Sequence, residues 1–474
     1  MKLYETLADE IEASIRQGLL RPGEKLPSVR YTSSSRAVSA STVFQAYYLL
    51  ESRGLVRGRE RSGYFVTSAA GLAAPEPPQA SAPTEHPISV DVSDMIFKLL
   101  EESRAPDAVG LASAFPSAFL YPLPRLAKAI AGTANWMGPK RVLEDLSPGN
   151  GRLRRQISLR YGADGMAISD QEILVTNGAL EALNLCLSAV TQPGDSVIVE
   201  SPTFYGALQA LQARGLRAVQ VATDPRTGVD LHALERAIRQ HAPSACWLMT
   251  NFQNPLGSLM SPADKKALVA LLARYELPLI EDDVYADLFF GANRPPPAKS
   301  FDNAGLVMHC SSFAKSLAPG FRIGWVAPGR FMSRVTRNKL AFNLNTSIPP
   351  QLAIASYMEH GAFDKHLRKL RLTLSTQQAV LADAVARHFP AGTRATRPQG
   401  GYLLWVELPP EFDALQLYQD AKPLGICVAP GTLFSPEGRF RNCLRLNYGH
   451  PFGKRGEAAM ASLGQLLRQQ RSAA

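Results

Sequence analysis

A segment rich in proline and alanine, residues 69–89, divides this chain of 474 residues into two unequal parts. Such a composition cannot bury enough apolar surface to form a core, and it favours an extended backbone. We therefore interpret residues 69–89 as a linker with a reach of up to roughly 60 Å. Residues 1–68 and 90–474 are predicted to fold as separate domains.

The overall composition favours a globular protein and limits its location. No apolar run approaches the roughly 18 residues that a membrane span requires, and the N-terminus lacks the apolar stretch of a signal peptide. The five cysteines are scattered without a metal-binding spacing, so we expect neither a disulfide framework nor a metal site. The cytoplasm is the predicted location, with no membrane partner. The net charge of +10 suits nucleic acid as a partner but also suits many enzymes.

The second part alternates short apolar runs with stretches of helical periodicity. Five of these runs end in polar residues, at positions 173–177, 196–202, 245–251, 277–283 and 305–312. This alternation predicts an α/β domain with a mostly parallel sheet. Because functional residues of such sheets gather where strands end, the polar endings are candidate site residues.

The first part has the pattern of a small DNA-binding domain. Apolar residues recur every four positions from Leu3 to Ile15, which predicts an amphipathic first helix. A second helix is predicted to begin near Ser28 and a third at Ser39, whose hydroxyl can cap it. Residues 55–66 then give two short strands around a basic turn. Three helices followed by such a wing are typical of a winged helix-turn-helix (α+β) domain.

Three ordered blocks of this part, residues 22–30, 38–55 and 62–66, resemble the GntR family of regulators. The resemblance implies a double-stranded DNA operator as a partner. It also implies a set of DNA-facing residues that mix phosphate and base-edge contacts. These residues are Arg30, Ser39, Ser41, Thr42, Gln45, Arg59, Arg61 and Gly63.

The sequence departs from the family pattern in two places, and each departure predicts a difference in DNA contacts or in packing. Ala40 stands where the family often has a basic residue, so one common base contact is in doubt. Thr32 and Ser33 stand where the second helix usually has apolar residues, so we expect that helix to pack loosely. The alternative interpretation of this part is a helical dimerisation module with incidental arginines.

One lysine of the second part has neighbours in the sequence that can bind a phosphate. Lys315 follows a predicted strand, with Ser312 three positions before it and Arg322 seven positions after it. Both side chains can reach a phosphate held beside the amine. A lysine that forms an imine must lose its proton near neutral pH, and a partly buried site with other cations lowers its pKa. Without such neighbours, a lysine among small residues is usually a surface residue.

Other residues at predicted strand ends and helix starts can each hold one part of a phosphate-bearing pyridine aldehyde. A pyridine nitrogen stays protonated only beside a carboxylate, which Asp282 supplies. Asn254 and Tyr285 can hydrogen-bond the ring oxygen, and Phe204 can stack on the ring. The free N–H groups at a helix start suit the phosphate. The predicted start contains Gly178, Ala179 and Leu180.

These sites, in this order, resemble the fold-type I aminotransferases and are similar to the kynurenine/α-aminoadipate group across residues 90–474. The resemblance implies an α/β fold with a large and a small subdomain, and pyridoxal 5'-phosphate as the cofactor. It assigns Lys315 to the Schiff base. It assigns catalysis to Lys315 together with Asp282 and Tyr285. It assigns Arg445 to the substrate carboxylate, although arginines near strand ends are common.

Three positions depart from the aminotransferase pattern. Ala314 and Ala179 stand where relatives often place a hydroxyl on the phosphate, and Leu146 stands where many have a tyrosine from the second subunit. We therefore expect weaker cofactor affinity.

A GntR-type reader joined by a linker to an aminotransferase-like domain resembles the MocR subfamily of regulators. This resemblance covers the whole chain and implies a homodimeric regulator that senses pyridoxal phosphate, an amino acid or both at Lys315. The main alternative is a working aminotransferase with an accessory DNA-binding domain. A chromatin-structuring protein that uses the cofactor only to hold its structure together is a third interpretation. The effector, the operator and the direction of control stay open.

Overall fold

The architecture comes from a computed structural model. It describes residues 3–16, 19–21, 23–53, 55–59, 63–67, 75–84, 86–102, 109–133 and 148–473. Within these ranges, no helix is both long enough and apolar enough to cross a membrane.

The N-terminal domain is the predicted winged helix-turn-helix. Its elements are α1 (Leu3–Arg16), α2 (Val29–Ser35), α3 (Ala40–Ser52), β1 (Val56–Arg59) and β2 (Gly63–Val66). The Ser28 hydroxyl accepts the backbone N–H of Tyr31 at 3.1 Å and caps α2. The Ser39 hydroxyl accepts the N–H of Thr42 at 3.1 Å and caps α3. Both helix starts therefore lie where the sequence predicted them, because each serine satisfies an otherwise free N–H group.

The second helix does not pack loosely, and this expectation was wrong. Thr32 is 6% exposed, and its hydroxyl lies 2.7 Å from the Tyr47 hydroxyl, which also donates to the Pro27 carbonyl at 2.8 Å. Ser33 donates to the Val38 carbonyl at 2.7 Å. The polar groups on this helix are satisfied by hydrogen bonds, so their burial costs little.

The strands of the second domain form two sheets. They are β3 (Ile88–Ser89), β4 (Leu174–Thr176), β5 (Ser196–Ser201), β6 (Arg217–Asp224), β7 (Gly228–Val229), β8 (Ala245–Leu248), β9 (Leu279–Asp282), β10 (Val307–Ser312), β11 (Gly324–Ala327), β12 (Arg394–Ala395), β13 (Leu403–Glu407), β14 (Ala429–Pro430) and β15 (Cys443–Asn447).

The helices of the second domain cover these sheets. They are α4 (Ser93–Glu102), α5 (Leu123–Gly132), α6 (Gly151–Ala163), α7 (Ala179–Val190), α8 (Tyr205–Ala213), α9 (Leu231–His241), α10 (Pro262–Arg274), α11 (Met332–Asn343), α12 (Ile348–Glu359), α13 (Ala362–His388), α14 (Ala414–Ala421) and α15 (Gly453–Ala473).

The large subdomain is built on the sheet of order β3-β6-β5-β8-β9-β10-β11-β4, with β7 beside β6. Strands β6, β5, β8, β9 and β10 pair in parallel, whereas β11 is antiparallel to both of its neighbours. Because helices cover both faces, the central strands are buried and read as continuous apolar runs. The predicted α/β fold is confirmed, and the carboxyl ends of the parallel strands meet along one edge.

The small subdomain is built on the antiparallel sheet of order β12-β13-β15-β14. Helices α13, α14 and α15 pack with this sheet around a second apolar core. Helix α13 has 27 residues, so it extends about 40 Å.

The described part of the segment that we interpret as the linker lies against the second domain, and its last two residues, Ile88–Ser89, form β3 beside β6. The Glu76 carbonyl accepts the N–H of Ala395 in β12 at 2.9 Å. Ser81 donates its N–H to the Thr223 carbonyl at 3.2 Å and accepts the Thr223 N–H at 3.0 Å through its hydroxyl. The segment thus makes hydrogen bonds to both subdomains, which its composition did not indicate.

Candidate functional site

The candidate nucleophile Lys315 lies in the connection between β10 and β11. Its Nζ atom donates to the Ala114 carbonyl at 2.7 Å and lies 3.8 Å from the centre of the Phe115 ring. Burial lowers the pKa of this amine to about 7, although the charge of Asp282 raises it; the charge of Arg445 lowers it further. The neutral amine required of a nucleophile is therefore accessible near neutral pH.

Asp282 is the last residue of β9, in register with β10. The side chain is buried, and its Oδ1 atom has no hydrogen-bond partner in the part of the chain that the structure describes. Burial raises the pKa of this carboxyl to about 7, while the charge of Lys315 lowers it. A buried carboxylate oxygen without a donor fits a ligand that brings an N–H group, such as a protonated ring nitrogen.

Asn254, Tyr285 and Arg445 lie together beside this carboxylate. Arg445, in β15, is fully buried; its guanidinium donates to Asn254 Oδ1 at 3.3 Å and to the Ala112 carbonyl at 2.6 Å. The Nε atom of Arg445 is buried without a partner among the described residues. The Tyr285 ring lies 6.0 Å from Lys315 Nζ, and burial raises the pKa of its hydroxyl.

The start of α7 forms a narrow cradle with Arg322. Gly178 has a φ of 82°, and a Cβ at this position would collide with the Arg322 guanidinium. Because glycine has no side chain, the N–H groups at the start of α7 can lie close to the guanidinium. An anion site requires such donors to be close together. Ser312, at the end of β10, adds a hydroxyl to the same cavity.

Most of the site residues predicted from the sequence line one cavity of about 270 Å³. They are Ala179, Leu180, Phe204, Asn254, Asp282, Tyr285, Ser312, Lys315 and Arg322. Gly178 and Arg445 adjoin it, the first through Arg322 and the second through Asn254. Ala314 also lines the cavity, whereas Leu146 lies outside the described residues.

Sequence reasoning missed several side chains that build the site. The hydroxyls of Tyr402 and Tyr121 donate to the carbonyls of Ala114 and Ala314, at 2.9 and 3.3 Å. No local motif marks either tyrosine, because each contact joins positions that are far apart in the chain. The segment containing Ala114, which covers Lys315, likewise carries no signal of its own.

A buried network behind Asp282 was also missed. Asp283 accepts from Arg294 at 3.2 Å and pairs with His309 at 2.9 Å, and His309 contacts the Tyr161 hydroxyl at 2.7 Å. Burial alone would raise the pKa of the Asp283 carboxyl, but the His309 hydrogen bond and the Arg294 charge lower it. The polar ending predicted at residues 277–283 contains Asp283, but it did not indicate the partners Arg294, His309 and Tyr161.

The candidate DNA-reading surface lies on α2, α3 and the wing. Arg30, Ser41 and Gln45 are exposed, and Thr42 is half-buried. The exposed Ser39 hydroxyl is engaged in capping and lies 2.8 Å from the hydroxyls of Ser41 and Thr42. Most of the reading side chains are thus presented to the outside of the domain.

Only part of the wing can be located. Gly63 begins β2 with a φ of 99°, opposite Arg59. The Arg59 side chain and all of Arg61 lie outside the described residues.

The chain belongs to a class of two-domain proteins in which a winged helix-turn-helix domain is joined to an aminotransferase fold that contains such a cavity. Residues 3–66 match the model of the bacterial regulatory proteins of the gntR family, and residues 117–459 match that of aminotransferase class I and II. The chain belongs to the class I and II aminotransferase family and, with its gntR domain, has the architecture of the MocR-like regulators.

Relatives with both domains match the chain along its whole length. It is 45% identical over 469 residues to the HTH-type transcriptional regulator YdcR of Escherichia coli (strain K12), covering 99% of this chain and 100% of YdcR. It is 36% identical to the HTH-type transcriptional regulator YjiR of the same strain, covering 98% of this chain and 99% of YjiR.

Solved aminotransferase structures match the second domain. The multiple substrate aminotransferase of Thermococcus profundus has a TM-score of 0.73 and 26% identity, covering 80% of this chain and 96% of that one. LysN, the α-aminoadipate aminotransferase of Thermus thermophilus, has a TM-score of 0.72 and 26% identity, covering 81% of this chain and 100% of that one.

The cofactor is pyridoxal 5'-phosphate, and the residues of the cavity fit it. The partnerless oxygen of Asp282 suits the ring nitrogen, and the cradle at Gly178 suits the phosphate. When bound, this cofactor supplies an aldehyde that combines reversibly with amines and a ring that withdraws electrons.

Proposed function

We propose that this protein is a pyridoxal phosphate-dependent transcription regulator that binds a DNA operator and senses the cofactor, an amino acid or both at Lys315. One observation carries the proposal. A cavity lined by the predicted cofactor residues and an exposed candidate reading helix belong to the same chain, and the segment between them makes hydrogen bonds to both subdomains. Relatives that match the whole chain are described as HTH-type transcriptional regulators.

In this proposal each cavity residue holds one part of the cofactor. Lys315 is the nucleophile, and the carboxylate of Asp282 keeps the ring nitrogen protonated. Tyr285 and Asn254 donate to the ring oxygen, and Phe204 stacks on the ring. The phosphate is held by the N–H groups at the start of α7 and by the side chains of two residues that line the cavity, Ser312 and Arg322.

Arg445 is the group that selects a carboxylate. Its guanidinium is buried, its orientation is fixed by Asn254, and its Nε atom has no partner within the described chain. A guanidinium binds a carboxylate through two parallel hydrogen bonds, and a buried N–H without an acceptor gains most from such a ligand. We therefore assign Arg445 to the α-carboxylate of the amino acid.

The coupling between ligand and reader runs through the segment at residues 75–84. Closure of a small domain over a bound ligand is a common response of such sites. Here closure would move Ala395 relative to Thr223, which are the two anchor points of the segment. Helix α3 also lies against α13 of the small subdomain, so the reader is subject to the same movement.

We further propose a homodimer in the cytoplasm, where chromosomal DNA is available. A two-fold protein places two readers on two half-sites. Apolar side chains at the end of α11 support an interface there, because they are 44–67% exposed. These residues are Leu340, Phe342 and Leu344.

Mobility shift of operator DNA tests the proposal on the full chain, with and without pyridoxal phosphate and with added amino acids. We expect operator affinity to change by about fivefold or more on ligand addition, which corresponds to about 1 kcal/mol of coupling. The Lys315→Ala variant is the matched control and should bind DNA without responding. Equal affinity in every state would mean that the second domain is an enzyme merely tethered to DNA.

A second candidate function is transamination. It is favoured by the proximity of Lys315, Asp282 and Arg445 and by the lowered pKa of Lys315. With an amino acid and a second oxo acid added as the acceptor of the amino group, formation of many molecules of product oxo acid per protein chain would support an enzyme. Formation of no more than one would favour a regulator that uses the same chemistry for sensing.

A further inference from the structure

Few charged side chains line the cavity above Lys315 in the part of the chain that the structure describes. Its lining includes two cations, Lys315 and Arg322, and one carboxylate, Asp282. The proposed function uses all three for the cofactor, and it uses the adjoining Arg445 for the α-carboxylate. Among the described lining residues, no charged group is left for the side chain of an amino acid.

The rest of the lining is mostly apolar. Leu183 is buried, whereas Phe115 and Leu180 are 37% and 45% exposed. Apolar side chains left partly open to solvent gain free energy when an apolar ligand covers them. Among the described lining residues, Gln209 is the one polar side chain apart from the cofactor residues and the Tyr205 hydroxyl.

We propose that the ligand sensed at this site is an α-amino acid with an uncharged, predominantly apolar side chain. This inference rests on the proposed function and names the ligand class of the same site. Among the described lining residues, a distal carboxylate or ammonium would find no opposite charge, and burial of an unpaired charge is strongly unfavourable. Each buried methylene, in contrast, improves binding by about fourfold.

Gln209 is the position at which this selectivity can be changed. It lies on α8 and is half-buried, so a longer side chain can extend into the cavity opening. A cation there would provide the partner that a distal carboxylate lacks. A methionine at the same position has a similar length without the charge.

Isothermal titration calorimetry on the cofactor-loaded full chain tests the inference with L-leucine, L-glutamate and L-lysine as probes of similar size. We expect L-leucine to bind at least about tenfold more tightly than either charged amino acid. Burial of fewer than two methylene groups is enough to produce a difference of this size. Gln209→Arg should narrow or reverse the preference for L-leucine over L-glutamate, whereas Gln209→Met should retain it.

The outcomes separate this inference from the proposed function. Binding of L-glutamate or L-lysine as tightly as L-leucine would overturn the ligand class but leave amino-acid sensing intact. If the Gln209→Arg and Gln209→Met proteins show the same preference for L-leucine over L-glutamate, Gln209 does not set the selectivity. If none of the three probes binds, amino-acid sensing and the ligand class both fail.

Discussion

The two functional regions of this protein differ in what holds their side chains in place. In the second domain, Asp282 and Arg445 are buried at strand positions and held among other side chains. In the reader, Arg30 and Gln45 project from the surface. Packing orients the first pair before any ligand binds, whereas the exposed second pair is not held by packing. Changes in the cofactor region should therefore have large effects, and changes in the reader should have smaller, additive ones.

The largest effect is expected at Lys315. Lys315→Ala removes the amine to which the cofactor can attach, so the yellow absorption of the covalently loaded protein should disappear completely. The measurement is the visible spectrum of purified protein that has been incubated with pyridoxal phosphate and then separated from unbound cofactor. Lys266→Ala is a suitable control, because this lysine of α10 is exposed. An unchanged band in the Lys315→Ala protein would place the nucleophile elsewhere.

A large pH effect should accompany the burial of the same amine. Only the neutral amine attacks the cofactor aldehyde, and the pKa of Lys315 is lowered to about 7. The rate of cofactor attachment should therefore rise with pH around a midpoint near 7. Because the charge of Asp282 raises the pKa of Lys315, Asp282→Asn should move the midpoint to lower pH. Stopped-flow absorbance can measure both proteins. A midpoint above about 9 would mean that the amine is not desolvated.

The same contrast between buried and exposed regions explains what the sequence could predict. The ends of β9 and β10 were recognisable because apolar runs stop at Asp282 and Ser312. The helix starts of the reader were recognisable because Ser28 and Ser39 are capping residues. These signals are local, and the predicted fold is confirmed in both domains.

Long-range contacts could not be predicted in this way. Tyr402 reaches the Ala114 carbonyl across 288 residues, and Thr32 is satisfied by Tyr47 of another helix. The hydrogen bonds between Ser81 and Thr223 could not be predicted from the proline-rich composition of that segment. Such contacts depend on the tertiary arrangement, which overrides local preference.

A moderate effect is expected from Arg30 in the reader. If this exposed arginine contacts a DNA phosphate, Arg30→Ala should reduce the salt slope of operator binding by about one. Fluorescence anisotropy at several salt concentrations measures the slope. Arg36→Ala is the matched control, since Arg36 is also exposed but pairs with Glu10 at 2.9 Å. If the Arg30→Ala protein has the same salt slope as the unmodified protein, Arg30 is not one of the DNA-facing residues.

The smallest effect is expected from the hydrogen bonds inside the reader. Tyr47→Phe leaves the buried Thr32 hydroxyl and the Pro27 carbonyl without this partner, so the reader should lose about 1–2 kcal/mol of stability. Hydrogen exchange of the α3 amides measures this loss within the full chain. Tyr48→Phe, at a tyrosine that is 47% exposed, should change little. Equal exchange in the two variants would mean that the buried hydroxyl network does not stabilise the reader.

The most direct test of the central claim is a reciprocal binding measurement. If ligand at Lys315 and DNA at the reader are coupled, each must change the affinity of the other by the same factor. Calorimetry with L-leucine, in the presence and absence of operator DNA, gives one factor, and operator binding with and without L-leucine gives the other. We expect both factors to be equal and about five or larger. Two factors of one would contradict the account, because the cofactor site and the reader would then act independently.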